Sequence, residues 1–470
     1  MRLKSATSLS LGAQGDEVAH LQKRLKQLGY DPGESDGYFG YLTHAAVKTL
    51  QRDFRLRVDG VIGPQVKALV RQDGLPDRRR LYKLRVGETL ADAARFFGVS
   101  LEALRLMNRL SAKARGYPGQ RLICRTHYVL AYLSPAALEA RSTYNSLSQW
   151  SAIAIPLVAV TEGRLQIAAL SPNTADRLAE SGLPLWLAVR PAHFQPNSMR
   201  IYDIAPLLHR RKARKTAALE LAEAAELYQS GIWLDFPCLG WGDGTGYLDL
   251  VRQLRAALST RQLPLMVTLP LPDGRHHRRW WLTDIDYRKL SALADKVVLG
   301  SHAAHTCESF ALYGRRIESV LNMIPGWKAL LGIGLRAEER DEHGALIGEM
   351  SYAKALAAAY LAGEKPRWDP EHKLLQVHIK PKAPKSVRSA VSNQSPDHQA
   401  LSGENDSAGM VRTLWLPGRE AIAARLRLAH RWCVDGVALW PVGEEDTRLW
   451  TVMPNLLVPV RNTESNTSKK

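Results

Sequence analysis

The chain is poor in cysteine: Cys124, Cys238, Cys307 and Cys433 are the four among 470 residues. They lie far apart and form no C-x-x-C pair, which excludes a disulfide scaffold and leaves reduced, mostly buried thiols as the expectation. No stretch reaches 18 consecutive apolar residues, so no membrane span is expected. Met1 to Ser10 has two cations but no apolar stretch behind them, and is not read as a secretory signal peptide. Acidic residues are in deficit, 46 against 64 Lys and Arg, for a formal net charge of +18. Such a balance favours anionic partners. The cations are spread along the chain, with short clusters at Arg78–Arg80 and Arg210–Lys215. No nucleic-acid-binding signature accompanies them, so nucleic acid is not the expected partner. A hydrophobic fraction of 45% supplies a large core without a metal or cofactor as staple. The length suggests two to four domains.

Three segments separate. In residues 1–75, Val18, Leu21, Leu25 and Leu28 fall at helical spacing and Gly29 ends the run. A second helix carries Ala46, Val47, Leu50 and Phe54, and a third ends near Val70. Asp36-Gly37-Tyr38-Phe39-Gly40 recurs as Asp59-Gly60-Val61-Ile62-Gly63, two turns in which glycine would supply positive φ. Together with Leu11-Gly12, Gly15, Leu21-Gln22, Thr43 and Gln51, these residues resemble the three-helix peptidoglycan-binding module. The resemblance implies glycan contacts near Asp36, Tyr38 and Phe39.

Residues 81–126 read as strand, helix, helix, strand. Leu81–Leu84 is the first strand, and Thr89 caps a helix striped by Leu90, Ala94 and Phe97. A second helix holds Leu101, Leu104 and Met107, and Leu122 opens the closing strand. Val86-Gly87-Glu88-Thr89-Leu90, Phe97-Gly98-Val99, Asn108 and Pro118-Gly119-Gln120 resemble a LysM module. That resemblance implies a shallow groove for N-acetylglucosamine-containing glycan, contacted by Gly87, Glu88, Thr89, Tyr117, Pro118, Gly119 and Gln120.

From about residue 127 to 462 short apolar runs recur between helical or polar stretches. They are Tyr128–Leu133, Ala152–Val160, Leu183–Val189, Gly231–Leu234, Leu263–Leu269, Lys296–Leu299, Ala329–Leu335 and Gly436–Trp440. Apolar strands alternating with helices indicate a parallel sheet covered on both faces. Eight of them predict an α/β (β/α)₈ TIM barrel, with its site at the carboxyl ends of the strands. The fold class is thus multidomain: a small all-α module, a βααβ module and the barrel. Lys382–Gly409 is Ser-, Pro-, Asn- and Lys-rich and reads as a disordered insertion, and 463–470 as a disordered tail.

Gly231-Ile232-Trp233-Leu234-Asp235-Phe236, Asp295–Leu299 and Gly436–Asp446 with Trp450 resemble glycoside hydrolase family 18, chiefly its spore-germination branch. Family 18 enzymes retain configuration through the substrate's own acetamido group, outside the usual two-carboxylate scheme. The resemblance implies a Glu acid at the end of the fourth strand, an Asp two residues before it, and a Trp under the sugar. Here Asp235 and Trp440 are retained, but the acid position is Pro237, which has no proton to give. Ser230 and Trp233 replace the earlier Asp positions, and Gly300-Ser301-His302-Ala303 departs from the family at the sixth strand. Positioned acid–base catalysis is worth roughly 10²–10⁴-fold, so its loss should nearly silence hydrolysis.

Two alternatives keep an enzyme. One is a displaced acid, with Glu308, Asp243 or Glu444 as candidates. The other is a metal-activated water: His302-x-x-His305-x-Cys307 has zinc-ligating spacing, and His193, Cys238, His276 and His277 also follow predicted strands. Loop histidines in a basic protein are usually solvated, so no metal and no cofactor are expected. The expected function is binding of peptidoglycan, spore cortex or a chitin-like glycan by a barrel without its acid, in a cell-wall or spore setting. Spore-coat proteins are further candidate partners.

Overall fold

The computed structural model describes residues 8–457, apart from 28–29, 54–56, 64–65, 68–69, 71–78, 98, 109, 126, 135–136, 138–148, 193–202, 237–238, 240–241, 272–284, 301–308, 325, 381–410 and 433. The expected insertion 382–409 and the tail 463–470 lie outside the described residues.

The first module contains helices α1 (Asp16–Gln27) and α2 (Tyr41–Asp53), with helical residues again near Val66 and Val70. Val18, Leu21, Leu25, Val47 and Leu50 meet in its core with Tyr30, Phe39, Ile62 and Val66. The repeated Asp-Gly turns form two like-built knots. Gln22 Nε2 donates to Asp36 Oδ1 and the Tyr38 carbonyl, both at 2.9 Å, while its Oε1 accepts from the Gly37 N–H at 3.0 Å. Gln51 does the same to Asp59, Val61 and Gly60, at 2.8, 3.0 and 2.8 Å. Gly37 and Gly60 hold φ of 76° and 74°, a region costly to residues with a Cβ.

The second unit pairs β1 (Arg79–Lys83) antiparallel with β2 (Arg121–Arg125). Between them lie α3 (Leu90–Phe97) and α4 (Leu101–Met107), the anticipated strand–helix–helix–strand order. Thr89 and Asp92 cap α3 reciprocally, the Thr89 N–H donating to Asp92 Oδ2 at 2.8 Å and the Asp92 N–H to Thr89 Oγ1 at 3.3 Å. Asn108 ties the end of α4 to β2: its Nδ2 donates to the Ile123 carbonyl at 2.8 Å and its Oδ1 accepts from the Ile123 N–H at 2.7 Å.

Eight parallel strands then close on themselves. They are β3 (Tyr128–Tyr132), β4 (Ala152–Thr161), β6 (Leu185–Pro191), β7 (Gly231–Leu234), β8 (Leu265–Leu269), β9 (Lys296–Leu299), β10 (Ala329–Gly334) and β16 (Gly436–Trp440). Pairing of β3 with both β4 and β16 closes the ring. Each coincides with one of the eight apolar runs, and β5 (Arg164–Ile167) extends β4 as a hairpin. Period two along each strand sorts the side chains. Val129, Ile153, Leu187, Ile232, Leu234, Val267, Leu299 and Leu439 face the surrounding helices. Tyr128, Leu130, Tyr132, Trp186, Trp233, Met266, Val298 and Trp440 fill the lumen. Large residues stand opposite small ones such as Ala152, Ala154, Ala188 and Ala438. At Gly231 a Cβ would lie 2.5 Å from the Trp186 ring, so the lumen admits that indole only beside a glycine.

One element was not anticipated. Between β10 and β16 the chain builds a five-stranded antiparallel sheet. Its members are β11 (Ala337–Arg340), β12 (Leu346–Met350), β13 (Arg367–Asp369), β14 (Leu374–Ile379) and β15 (Arg412–Leu416), in the spatial order β12-β11-β15-β14-β13. A helix, Tyr352–Ala362, packs on it through Tyr352, Ala355 and Ala359. The strand Ala337-Glu338-Glu339-Arg340 contains one apolar residue, so hydrophobic periodicity gives no sign of it.

Candidate functional site

Parallel register brings the inward residues of neighbouring strands side by side at the carboxyl end of the barrel. Val189 pairs with Leu234, so Arg190 and Asp235 are neighbours, and Leu234 pairs with Val267, so Thr268 flanks Asp235. Leu439 pairs with Ala131, and Gly334 with Trp440, which sets Trp440 beside Tyr132. Asp235 is wholly buried. Its Oδ1 accepts from Thr268 Oγ1 at 2.9 Å, and its Oδ2 lies 3.3 Å from Arg190 Nε. Thr268 Oγ1 accepts in turn from Trp233 Nε1 at 3.0 Å. The indole at position 233 thus steers the threonine hydroxyl toward the carboxylate.

Arg190 also donates from Nη1 to the Tyr132 hydroxyl at 3.1 Å. Its guanidinium lies 4.8 Å from the centroid of the Trp440 ring, within cation–π range. Tyr132 meets Trp233 and Trp440 edge-on, each at 5.6 Å between centroids. Burial, with Asp235 nearby, pushes the Tyr132 hydroxyl up to about 12. Trp440 is 6% exposed. The expected sugar-floor face therefore already carries a guanidinium. The space left among Trp233, Gly300, Gly332, Gly334 and Trp440 is about 10 Å³, room for no more than about one water.

A second guanidinium stands farther out. Arg336, just after β10, binds Glu444 in a fork, with Nε–Oε2 at 2.8 Å and Nη2–Oε1 at 2.7 Å. It lies 3.6 Å from Glu349 Oε2 on β12 and 5.9 Å from the Trp440 centroid. Glu444, a candidate displaced acid, is therefore engaged by an arginine. Asp243, another, begins the helix Asp243–Ser259 and lies 2.8 Å from His209 Nε2. Glu349 is a rim carboxyl that sequence reasoning did not single out. Burial raises its pKa, and Arg336 opposes that rise. Glu308, Pro237 and the metal candidates His193, Cys238, His276, His277, His302, His305 and Cys307 lie outside the described residues. Among the described residues no cluster of three or more His, Cys, Asp or Glu could hold a metal ion.

The expected contact residues of the smaller modules divide. Phe39 is wholly buried in the first module's core and is unavailable to a ligand, a correction that follows because its ring fills that core with Tyr30, Val47 and Ile62. Asp36 is exposed but committed to Gln22 and the Tyr38 N–H. Tyr38 is 48% exposed, and Tyr41, which sequence reasoning passed over, is 81% exposed. In the second unit the two expected loops do lie together: the Leu84 N–H donates to the Gln120 carbonyl and the Gly119 N–H to the Leu84 carbonyl. Tyr82, Lys83, Leu84, Arg85, Val86, Pro118 and Gly119 line a groove there. Pro118 is thus in the groove's wall, and Gly87, Thr89 and Tyr117 are exposed, while Glu88 accepts from the Tyr82 hydroxyl and the Arg85 N–H, both at 2.7 Å.

Comparison with known proteins bears on both ends of the chain. Residues 14–70 match the family described as "Putative peptidoglycan binding domain", and the chain carries a domain of that family at its N-terminal end. Over 57 residues it is 46% identical to a spore cortex-lytic enzyme of Halalkalibacterium halodurans, covering 12% of this chain and 17% of that one. Over 51 residues it is 49% identical to the N-acetylmuramoyl-L-alanine amidase CwlM of Mycobacterium tuberculosis, covering 11% and 13%. The matched stretch thus spans less than a fifth of either relative. Among solved structures, the spore cortex-lytic enzyme SleL of Bacillus megaterium aligns with a TM-score of 0.55 at 16% identity, over 88% of this chain and 96% of that one. A chitinase of Chromobacterium violaceum aligns at 0.54 and 19% identity, over 70% and 98%. At such identity the shared property is the fold.

Proposed function

We propose that the chain binds peptidoglycan or spore-cortex glycan through its N-terminal modules and holds a barrel that does not hydrolyse it. One observation carries the second half of this reading. The Trp440 indole, the expected sugar floor, is 6% exposed and carries the chain's own Arg190 guanidinium 4.8 Å from its ring centroid. Pro237 at the acid position points the same way, since a site without a proton donor loses roughly 10²–10⁴-fold in rate.

Glycan attachment then falls to the surface around Tyr38 of the peptidoglycan-binding domain and to the groove of the βααβ unit, read as a LysM module. Tyrosine rings are well suited to hold sugar, because they cover its apolar face while the hydroxyl stays wet. The net charge of +18 favours an anionic wall. A spore or cell-wall location belongs to the same reading.

The test is incubation of the full chain with purified cortex peptidoglycan, followed by sedimentation and mass spectrometry of the soluble fraction. The expected result is retention on the insoluble glycan with no new reducing ends. Released fragments from the native chain would sink the non-hydrolytic reading, and failure to sediment would sink the binding reading.

A further inference from the structure

The carboxyl end of the barrel is organised around a cation supplied by the chain itself. We propose that Tyr132, Asp235 and Trp440 constitute a binding site for a small planar cation of the guanidinium or amidinium class, and that Arg190 occupies it in cis as a built-in plug.

Three features of one group are matched at once. The positive charge meets the wholly buried carboxylate of Asp235 at 3.3 Å. An N–H meets the Tyr132 hydroxyl at 3.1 Å. The guanidinium carbon lies over the Trp440 indole, 4.8 Å from the ring centroid. A lysine ammonium would satisfy the charge but has no planar face to lay on the indole. Asp235 is itself held from the other side by Thr268, which is turned by Trp233, so the carboxylate is positioned independently of Arg190. The neighbouring guanidinium, Arg336, is anchored by Glu444 and lies 5.9 Å from the Trp440 centroid. Removing the Arg190 side chain beyond its Cβ therefore leaves a cavity whose anion, hydroxyl acceptor and aromatic floor are still in place. The inference does not rest on glycan binding: the site is defined by the contacts of one side chain.

The experiment is chemical rescue of Arg190→Ala in the full chain. Its melting temperature should fall by several degrees, because an unpaired carboxylate is left buried. Methylguanidinium should restore it saturably at roughly millimolar concentration, as befits a ligand of so few atoms. It should leave the native chain unmoved. Methylammonium at equal ionic strength should give no saturable recovery, and adding Asp235→Asn to Arg190→Ala should abolish the methylguanidinium effect. Equal recovery with methylammonium or sodium chloride overturns the proposal, as does recovery that survives Asp235→Asn, or none at all. If Arg190→Ala does not fold when produced, refolding from urea with and without methylguanidinium reads the same site. Recovery only with the cation supports the plug, and recovery in neither condition refutes it.

Discussion

Replacing Gln22 by Ala should loosen the N-terminal domain while leaving the barrel untouched. The amide of Gln22 has two hydrogens and serves Asp36, the Tyr38 carbonyl and Thr43 at 2.9–3.1 Å, and its oxygen accepts the buried Gly37 N–H. Three bonds at about 1 kcal/mol net each, with one N–H left unpaired, give a loss of about 3–4 kcal/mol. A domain of about 60 residues has a total stability of roughly 3–9 kcal/mol. The variant should therefore lose a third or more of it. Hydrogen exchange of the Val47 amide, inside α2 and fully buried, reports opening of this domain in the intact chain. At about 1.4 kcal/mol per decade the exchange rate should rise about a hundredfold or more. Gln51→Ala should do nearly the same, because Gln51 repeats the contacts on Asp59, Gly60 and Val61. A change below about threefold in either variant would show that the knots follow the fold and do not hold it.

Four further outcomes follow from the geometry. Asp36 and Asp59 are held below the usual carboxylate range, first by the N–H groups of Tyr38 and Val61 and then by Gln22 and Gln51. A depressed carboxylate contributes stability above its unfolded pKa, lost as pH falls through the folded value, so the N-terminal domain should open selectively below about pH 4; selective opening above neutrality would contradict the assignment. Burial pushes Glu338 on β11 up to about 7, against the opposing pull of Arg340. Its stabilising share is full below about pH 4.3 and fades as pH rises toward about 7, so Glu338→Gln should flatten the pH dependence of exchange in β11 and β15. Pro237→Glu by itself should release no reducing ends from cortex, because Arg190 still covers Trp440; turnover by that variant would show the mouth to be open. Tyr117→Ala, at a position 63% exposed beside the groove, should cut retention on peptidoglycan with an unchanged melting curve, and undiminished retention would remove that loop from the binding surface.

Much of the architecture was legible because each barrel strand is buried on both faces. Full burial demands uninterrupted apolar runs, and all eight were visible as such, three of them to the residue: Gly231–Leu234, Lys296–Leu299 and Gly436–Trp440. The repeated Asp-Gly turns showed equally well, since positive φ and a short carboxylate suit few other residues. The inserted sheet escaped because strands such as Ala337–Arg340 bury Glu338 and Arg340 as an ion pair. A pattern reader assigns two charges to solvent when their mutual pairing is not visible.

The site divides along the same line. Sequence by itself determined the residue types: proline at 237 has no acidic proton in any fold, and tryptophan at 233 is no carboxylate. Only the tertiary structure decided what Asp235 and Trp440 meet. Arg190, far from both Asp235 and Trp440 along the chain, reads in sequence as one of many basic residues. Barrel closure and parallel register bring it between them. Charge pairing and stacking depend on distances of a few ångströms, and those are fixed by strand register across the closed sheet rather than by spacing along the chain.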